Sequence, residues 1–119
     1  MAAPEGDLHT LPVAISADLL RWRGFEVVEL GANSPAASIA EAARKAGQLK
    51  AVGIVSSTSG LDGMIKQAVT ALRRDVPDVP ILLGGGGIRD QRHATRLGVD
   101  IYTGTGSTAA VEAVERLVG

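Results

Sequence analysis

No cysteine occurs anywhere in the 119 residues, and that absence removes a whole tier of chemistry. Disulfides, thiolate nucleophiles and cysteine-built zinc or iron–sulfur sites are excluded. An excess of one charge sign is missing too: 12 Lys and Arg against 13 Asp and Glu leave a formal net charge of -1. With its basic residues scattered, the chain has no electrostatic footprint for nucleic acid or for an anionic membrane surface. No apolar run approaches the roughly eighteen residues of a membrane span. The first residues, which include Glu5 and Asp7, have neither the basic start nor the apolar core of a signal peptide. The expectation is a soluble, cytoplasmic chain of one domain covering 1–119, long enough to bury roughly two thirds of the surface its unfolded form exposes.

What is present is an alternation of short β-rich runs with longer Ala-rich amphipathic ones, the pattern of a parallel sheet with helices on both faces. The spacing predicts helices over 13–23, 34–46, 61–75, 90–97 and 107–118, and strands over 25–30, 51–55, 80–83 and 100–103. Pro12 suits the first turn of the first helix and Gly24 its stop. The clearest helix is 61–75, where Leu61, Ile65, Ala68, Val69, Leu72 and Val76 form one apolar stripe while Lys66, Arg73 and Arg74 point away.

This reads as an α/β fold, a doubly wound parallel sheet in the flavodoxin-like order 2-1-3-4-5. Such a sheet needs a strand before the first helix, and only Met1-Ala2-Ala3 is available for it. That central strand is expected to be short, vestigial or truncated, the chain then being a fragment of a longer one or having a misassigned start, and weakly stable by itself.

Ligands in doubly wound folds bind beyond the carboxyl ends of the strands, so those loops decide function. The first carries Gly6, Asp7, Leu8, His9, Thr10, Leu11 and Pro12. A carboxylate two residues from an imidazole can hold one ring nitrogen and leave the other as an oriented metal ligand, which makes His9 the candidate ligand. A loop histidine beside a helix-capping Asp gives the same pattern. The next loops carry Ser56, Ser57 and Thr58, then Gly84, Gly85, Gly86 and Gly87, then Thr103, Gly104, Thr105, Gly106 and Ser107. Small residues of this kind let backbone approach a ligand closely and supply hydroxyl donors. Four glycines after a buried strand fit a bulky flat ligand lying on the backbone better than a flexible turn. The run lacks the Lys-Ser/Thr ending of a P-loop and the spacing of G-x-G-x-x-G. The stretch 103–107 resembles an anion nest at a helix start, although capping by Ser107 explains it equally.

These motifs carry a family resemblance over nearly the whole chain. Asp7-Leu8-His9-Thr10-Leu11, then Ser56-Ser57-Thr58, then Gly84-Gly85 stand in the order and at the strand ends of the Asp-x-His-x-x-Gly, Ser-x-Leu and Gly-Gly elements of cobalamin-binding domains. Methyltransferases, mutases and B12-dependent regulators use such domains. The resemblance implies adenosyl- or methylcobalamin bound with its dimethylbenzimidazole displaced and His9 as lower axial ligand. It further implies that Asp7 holds the imidazole, that Ser56 faces the nucleotide tail or the Asp–His pair, that Gly84 and Gly85 leave the tail room, and that 103–107 lies near its far end. Two positions depart from the pattern: Pro12 stands where the motif has Gly, and Thr58 where it has Leu.

Segments 17–20, 30–32 and 77–80 look more like regulators, so a sensory module is the first expectation. A corrinoid carrier or small subunit of a methyltransferase or mutase is the alternative, and a structural module with a decayed site the second. Turnover by the chain alone is not expected, since there is no room for a substrate barrel or a cap over the cobalt. A partner domain or subunit is expected to cover the upper corrin face, with self-association left open. His93, among Arg89, Asp90, Arg92 and Arg96, is expected on a solvated surface and stays outside the site. Trp22 is read as a packing or interface residue, Tyr102 as a sheet-edge residue, and Asp62 as a helix-start charge. No Ser-His-Asp triad can be drawn.

Overall fold

Ala2-Ala3-Pro4, the shortest apolar run that could form a strand, occupies the middle of the sheet. The structure, a computed structural model, describes residues 1–6 and 10–118. Its elements are β1 (Ala2–Pro4), α1 (Thr10–Trp22), β2 (Gly31–Ser34), α2 (Ala36–Lys45), β3 (Val52–Val55), α3 (Asp62–Asp75), β4 (Ile81–Gly84), α4 (Gln91–Arg96), β5 (Ile101–Tyr102) and α5 (Ser107–Val118). The sheet has 5 strands in the order β2-β1-β3-β4-β5, every neighbouring pair parallel. The expected order and the short central strand are both present. β1 pairs with β2 on one side and β3 on the other, and all 3 of its residues are buried.

One expected strand is displaced. The run 25–30 is irregular, and β2 forms instead at Gly31–Ser34. An edge strand can be only as long as the neighbour it pairs with, and β1 begins at Ala2. On the sheet side the residues before it meet only the start of the chain: the Met1 ammonium donates to the Val28 carbonyl at 2.8 Å, and the Leu30 amide donates to the Met1 carbonyl at 3.0 Å, while the Arg21 guanidinium donates to the Val27 carbonyl at 3.0 Å. The helix expected from residue 13 starts earlier, at Thr10, so Pro12 falls in its first turn, where a missing amide costs no helical hydrogen bond.

Alternation in the strands separates two faces. Val52, Ile54, Ile81 and Leu83 meet Ile39 and Ala43 of α2, Ile65, Ala68, Val69 and Leu72 of α3, and Ala94 of α4, forming the main core. The apolar stripe of α3 therefore faces inward as its periodicity predicts. Arg73 does not simply point away: its guanidinium donates to the Gly98 carbonyl at 3.0 Å and to Asp100 Oδ2 at 2.9 Å, and Asp100 also accepts the Ile81 amide at 2.8 Å. This tie fixes the start of β4 against β5. On the opposite face α1 packs against α5, while Gly53 and Val55 stay only half-buried. Among the described residues no helix is long and apolar enough to cross a membrane.

Candidate functional site

A parallel sheet puts every strand's carboxyl end on one edge, so the loops after β1, β3, β4 and β5 converge there. At the end of β1 the chain turns at Gly6, whose φ of +95° is accessible to glycine at no steric cost. The Gly6 amide donates to Asn33 Oδ1 at 2.9 Å, and Asn33 itself sits at φ 52°, a left-handed conformation that Asn tolerates better than most residues. The end of β2 thus anchors the chain just before Asp7, Leu8 and His9, which lie outside the described residues. Thr10, Leu11 and Pro12 follow as the first turn of α1.

After β3, Ser56 is fully buried and its hydroxyl donates to the Thr58 carbonyl at 3.1 Å. Its amide donates to the Gly84 carbonyl at 2.8 Å, and its carbonyl accepts the Gly87 amide at 2.9 Å. After β4, the Gly85 amide donates to the Gly104 carbonyl at 2.9 Å. Three loops are thereby laced together through backbone.

The laced loops wall a cleft of about 100 Å³. Ser57, Gly84, Gly85, Gly86, Thr103, Gly104, Thr105 and Gly106 line it, closed by Val55 of β3, Ser16 of α1 and Ala110 of α5. Eight of the sequence-predicted site residues meet here, and among the described residues none of those lining the cleft is charged. A larger cavity of about 350 Å³ runs along the half-filled α1/α5 face of the sheet and shares Val55, Thr103 and Ala110 with the cleft. Its further wall includes the apolar Leu20, Phe25, Leu82 and Val114, with Glu26, Gln48 and Lys50 at the end away from the cleft. A polar mouth with an apolar chamber behind it can take an elongated ligand with a hydroxyl-rich segment and a flat apolar end.

Some expectations need correcting. Ser56 and Thr58 do not line the cleft: the first closes its own loop and the second accepts that bond. Their neighbour Ser57 provides the wall. Gly84 and Gly85 do line it, but their missing side chains leave room for protein rather than ligand. A Cβ on Gly84 would overlap Thr103, one on Gly85 the Ser56 backbone, and one on Gly87 the Thr58 carbonyl. Only Gly86 of this run has no atom of the described residues within 4 Å of such a Cβ. Ser16 and Asn33 were missed. Ser16 left a signal, a polar residue on the inward face of α1, where it is 2% exposed.

His93 is not on a solvated surface. It is 4% exposed, and its Nε2 lies 2.9 and 3.0 Å from the two carboxylate oxygens of Asp62. The Arg89 amide donates to Nδ1 at 3.1 Å, so Nδ1 is the acceptor and Nε2 carries the proton given to Asp62. Asp62 does open α3 as expected, with this partner in addition. Tyr102 lies on the edge strand β5, and Trp22 is 82% exposed rather than packed.

Asp90 caps α4 by accepting the His93 amide at 2.8 Å. That hydrogen bond, opposed by partial desolvation and helped by the charges of Arg89 and Arg92, holds its carboxyl below the ordinary value. A depressed folded-state pKa stabilises above the unfolded carboxylate value and is lost as pH falls through the lower folded value. The wild type is therefore expected to melt above Asp90→Ala at neutral pH, with the gap closing across that acid window. A gap independent of pH would refute the cap.

The family profile described as the B12 binding domain matches residues 1–114. The chain belongs to the B12-binding domain family. Among curated proteins this B12-binding domain is 29% identical over 117 residues to dimethylamine corrinoid protein 1 of Methanosarcina mazei, covering 97% of this chain and 53% of that protein. It is 30% identical over 115 residues to the dimethylamine corrinoid protein of Methanosarcina barkeri, covering 95% of this chain and 53% of that one. The chain thus spans about half the length of the curated relatives it matches. Among solved structures, a cobalamin-binding protein from Desulfitobacterium hafniense superposes with a TM-score of 0.84 at 27% identity, over 99% of this chain and 57% of that one. The methanol:cobalamin methyltransferase complex of Methanosarcina barkeri shares the fold, with a TM-score of 0.84 at 24% identity over 99% of this chain and 45% of that one.

Proposed function

We propose that this B12-binding domain is a corrinoid carrier for methyl transfer. In this reading cobalamin is held with its own base displaced and His9 as lower axial ligand, and the loaded domain is presented to a partner subunit that holds the substrate. The observation that carries it is the cleft at the carboxyl edge, together with the chamber that shares its wall and runs down the α1/α5 face toward the amino ends of the strands. Hydroxyls and backbone amides of Ser57 and 103–106 suit the ribose and phosphate of a nucleotide tail, and the apolar chamber suits its benzimidazole. The residues present therefore fit the group.

A bound corrinoid supplies the cobalt-centred methyl chemistry. Asp7 would hold the His9 ring and fix which nitrogen is free. The Asn33–Gly6 hydrogen bond would fix where that loop leaves β1. Both curated relatives are corrinoid proteins named for dimethylamine, which supports the carrier, with a methyl form of the cofactor, over the sensory module expected first.

The test is to incubate the chain with hydroxo-, methyl- and adenosylcobalamin, desalt it, reduce the hydroxocobalamin-loaded protein to cob(I)alamin with titanium(III) citrate, and supply that protein with dimethylamine and a corrinoid methyltransferase, monomethylamine being the product released. Retained corrin colour followed by methylation is the expected result. Retained colour with a light-dependent change of oligomeric state, and no methylation, would favour the sensor. No retained corrin would leave a structural module.

A further inference from the structure

His93 and Asp62 belong to no motif, yet they join the two loops that wall the cleft. We propose that this pair is a positioning clamp that sets how tightly the cleft holds a corrinoid; the inference rests on the carrier reading.

A buried imidazole is costly unless its polar atoms are satisfied, and here both ring nitrogens are used. Nδ1 accepts from the Arg89 amide at the end of the loop after β4, and Nε2 donates to Asp62 at the end of the loop after β3. The contact spans 31 positions in sequence, so no local turn produces it.

The same two loops meet a second time at their strand ends, where the Gly87 amide donates to the Ser56 carbonyl at 2.9 Å. Between the two pins lies Ser57 on one loop, and on the other the pinned stretch adjoins Gly85 and Gly86, all of them cleft wall. Glycine brings no side chain to resist displacement, so the shape of that wall depends on what pins its ends. Cutting the clamp leaves the strand-end bonds, Gly87 to Ser56, Ser56 to Gly84 and Gly85 to Gly104, and the Tyr102 hydroxyl, which donates to the Ile88 carbonyl at 3.3 Å, so the helix-side end of the loop is the part released. Asp62 is 52% exposed, so replacing it empties no core volume.

The experiment compares Asp62→Ala, which leaves the His93 Nε2 proton without its acceptor, with Asp62→Asn, which keeps an acceptor oxygen but drops the charge. Each is checked for its fold by circular dichroism. The readouts are the dissociation constant for hydroxocobalamin and the amide exchange rates of Gly85, Gly86 and Gly87 in the cofactor-free protein. Asp62→Ala is expected to weaken binding by about tenfold, the order of one lost hydrogen bond to a charged group, and to speed exchange. Asp62→Asn is expected to stay near wild type in both. Wild-type affinity in Asp62→Ala would overturn the proposal, as would equal losses in the two variants, which would assign the effect to charge. A wild-type chain that retains no corrinoid would instead sink the carrier reading. The exchange rates would then judge the clamp alone, unchanged rates in Asp62→Ala refuting it.

Discussion

His9→Ala is expected to weaken corrinoid retention by on the order of 100-fold or more and to abolish the spectral signature of histidine-ligated cobalt in whatever cofactor still binds. Substitution of a partner that merely orients a metal ligand costs roughly 10–100-fold, and losing the ligand itself should cost no less. The chain has 2 histidines and no cysteine, so imidazole ligation can fall on His9 or His93 alone. His93 is disqualified by its surroundings: Nδ1 already accepts from the Arg89 amide and Nε2 faces the Asp62 carboxylate, leaving neither lone pair for a metal. A His93 variant should therefore keep the axial-ligand spectrum even where it binds more weakly. Asp7→Asn should fall between, because an amide can still orient the ring while adding less to its basicity. The measurement is the visible spectrum after desalting, with the dissociation constant from titration. An unchanged spectrum in His9→Ala would refute the assignment of the axial ligand.

Gly85→Ala is expected to cost the fold more than any other single methyl added to these loops, roughly 3 kcal/mol or more. Two effects combine. The residue sits at φ +107°, where an L side chain is strained, and its Cβ would overlap the Ser56 backbone. Ser56 cannot retreat cheaply, since its amide is bonded to the Gly84 carbonyl and its carbonyl to the Gly87 amide. For a domain of this size the loss corresponds to a fall of about 10 °C or more in melting temperature. Gly86→Ala is the matched control: it has no positive φ and no atom of the described residues within 4 Å of an added Cβ, so it should melt near wild type. Equal melting temperatures for the two variants would show that the glycine run is not held by backbone packing. Reduced corrinoid affinity in Gly86→Ala without a stability loss would place that residue against the ligand.

What could be read along the chain was whatever depends on neighbours in sequence. The stripe of Ile65, Ala68, Val69 and Leu72 repeats with the helical period, so α3 and its buried face were legible. Runs of β-branched and aliphatic residues marked β3 and β4, and small residues marked the loops that follow them. Alternation of these units implied the parallel sheet, and with it a binding edge at the carboxyl ends. The run 25–30 misled because its strand-like composition says nothing about whether a neighbouring strand is long enough to pair with it.

By itself, then, the sequence determined the order of elements, the edge on which a ligand would lie, and through the absence of cysteine the kind of metal ligand available. Tertiary structure alone decided which residues of those loops face the cleft: Ser57 rather than Ser56, and Gly86 rather than Gly87, because a loop's orientation follows from the backbone hydrogen bonds it makes with other loops. It also decided that His93 is buried against Asp62, 31 positions away, a pairing that only the folded chain brings about. Local propensity acts over a turn of helix or a strand, whereas burial and hydrogen-bond partners depend on contacts between segments that meet only in the folded chain.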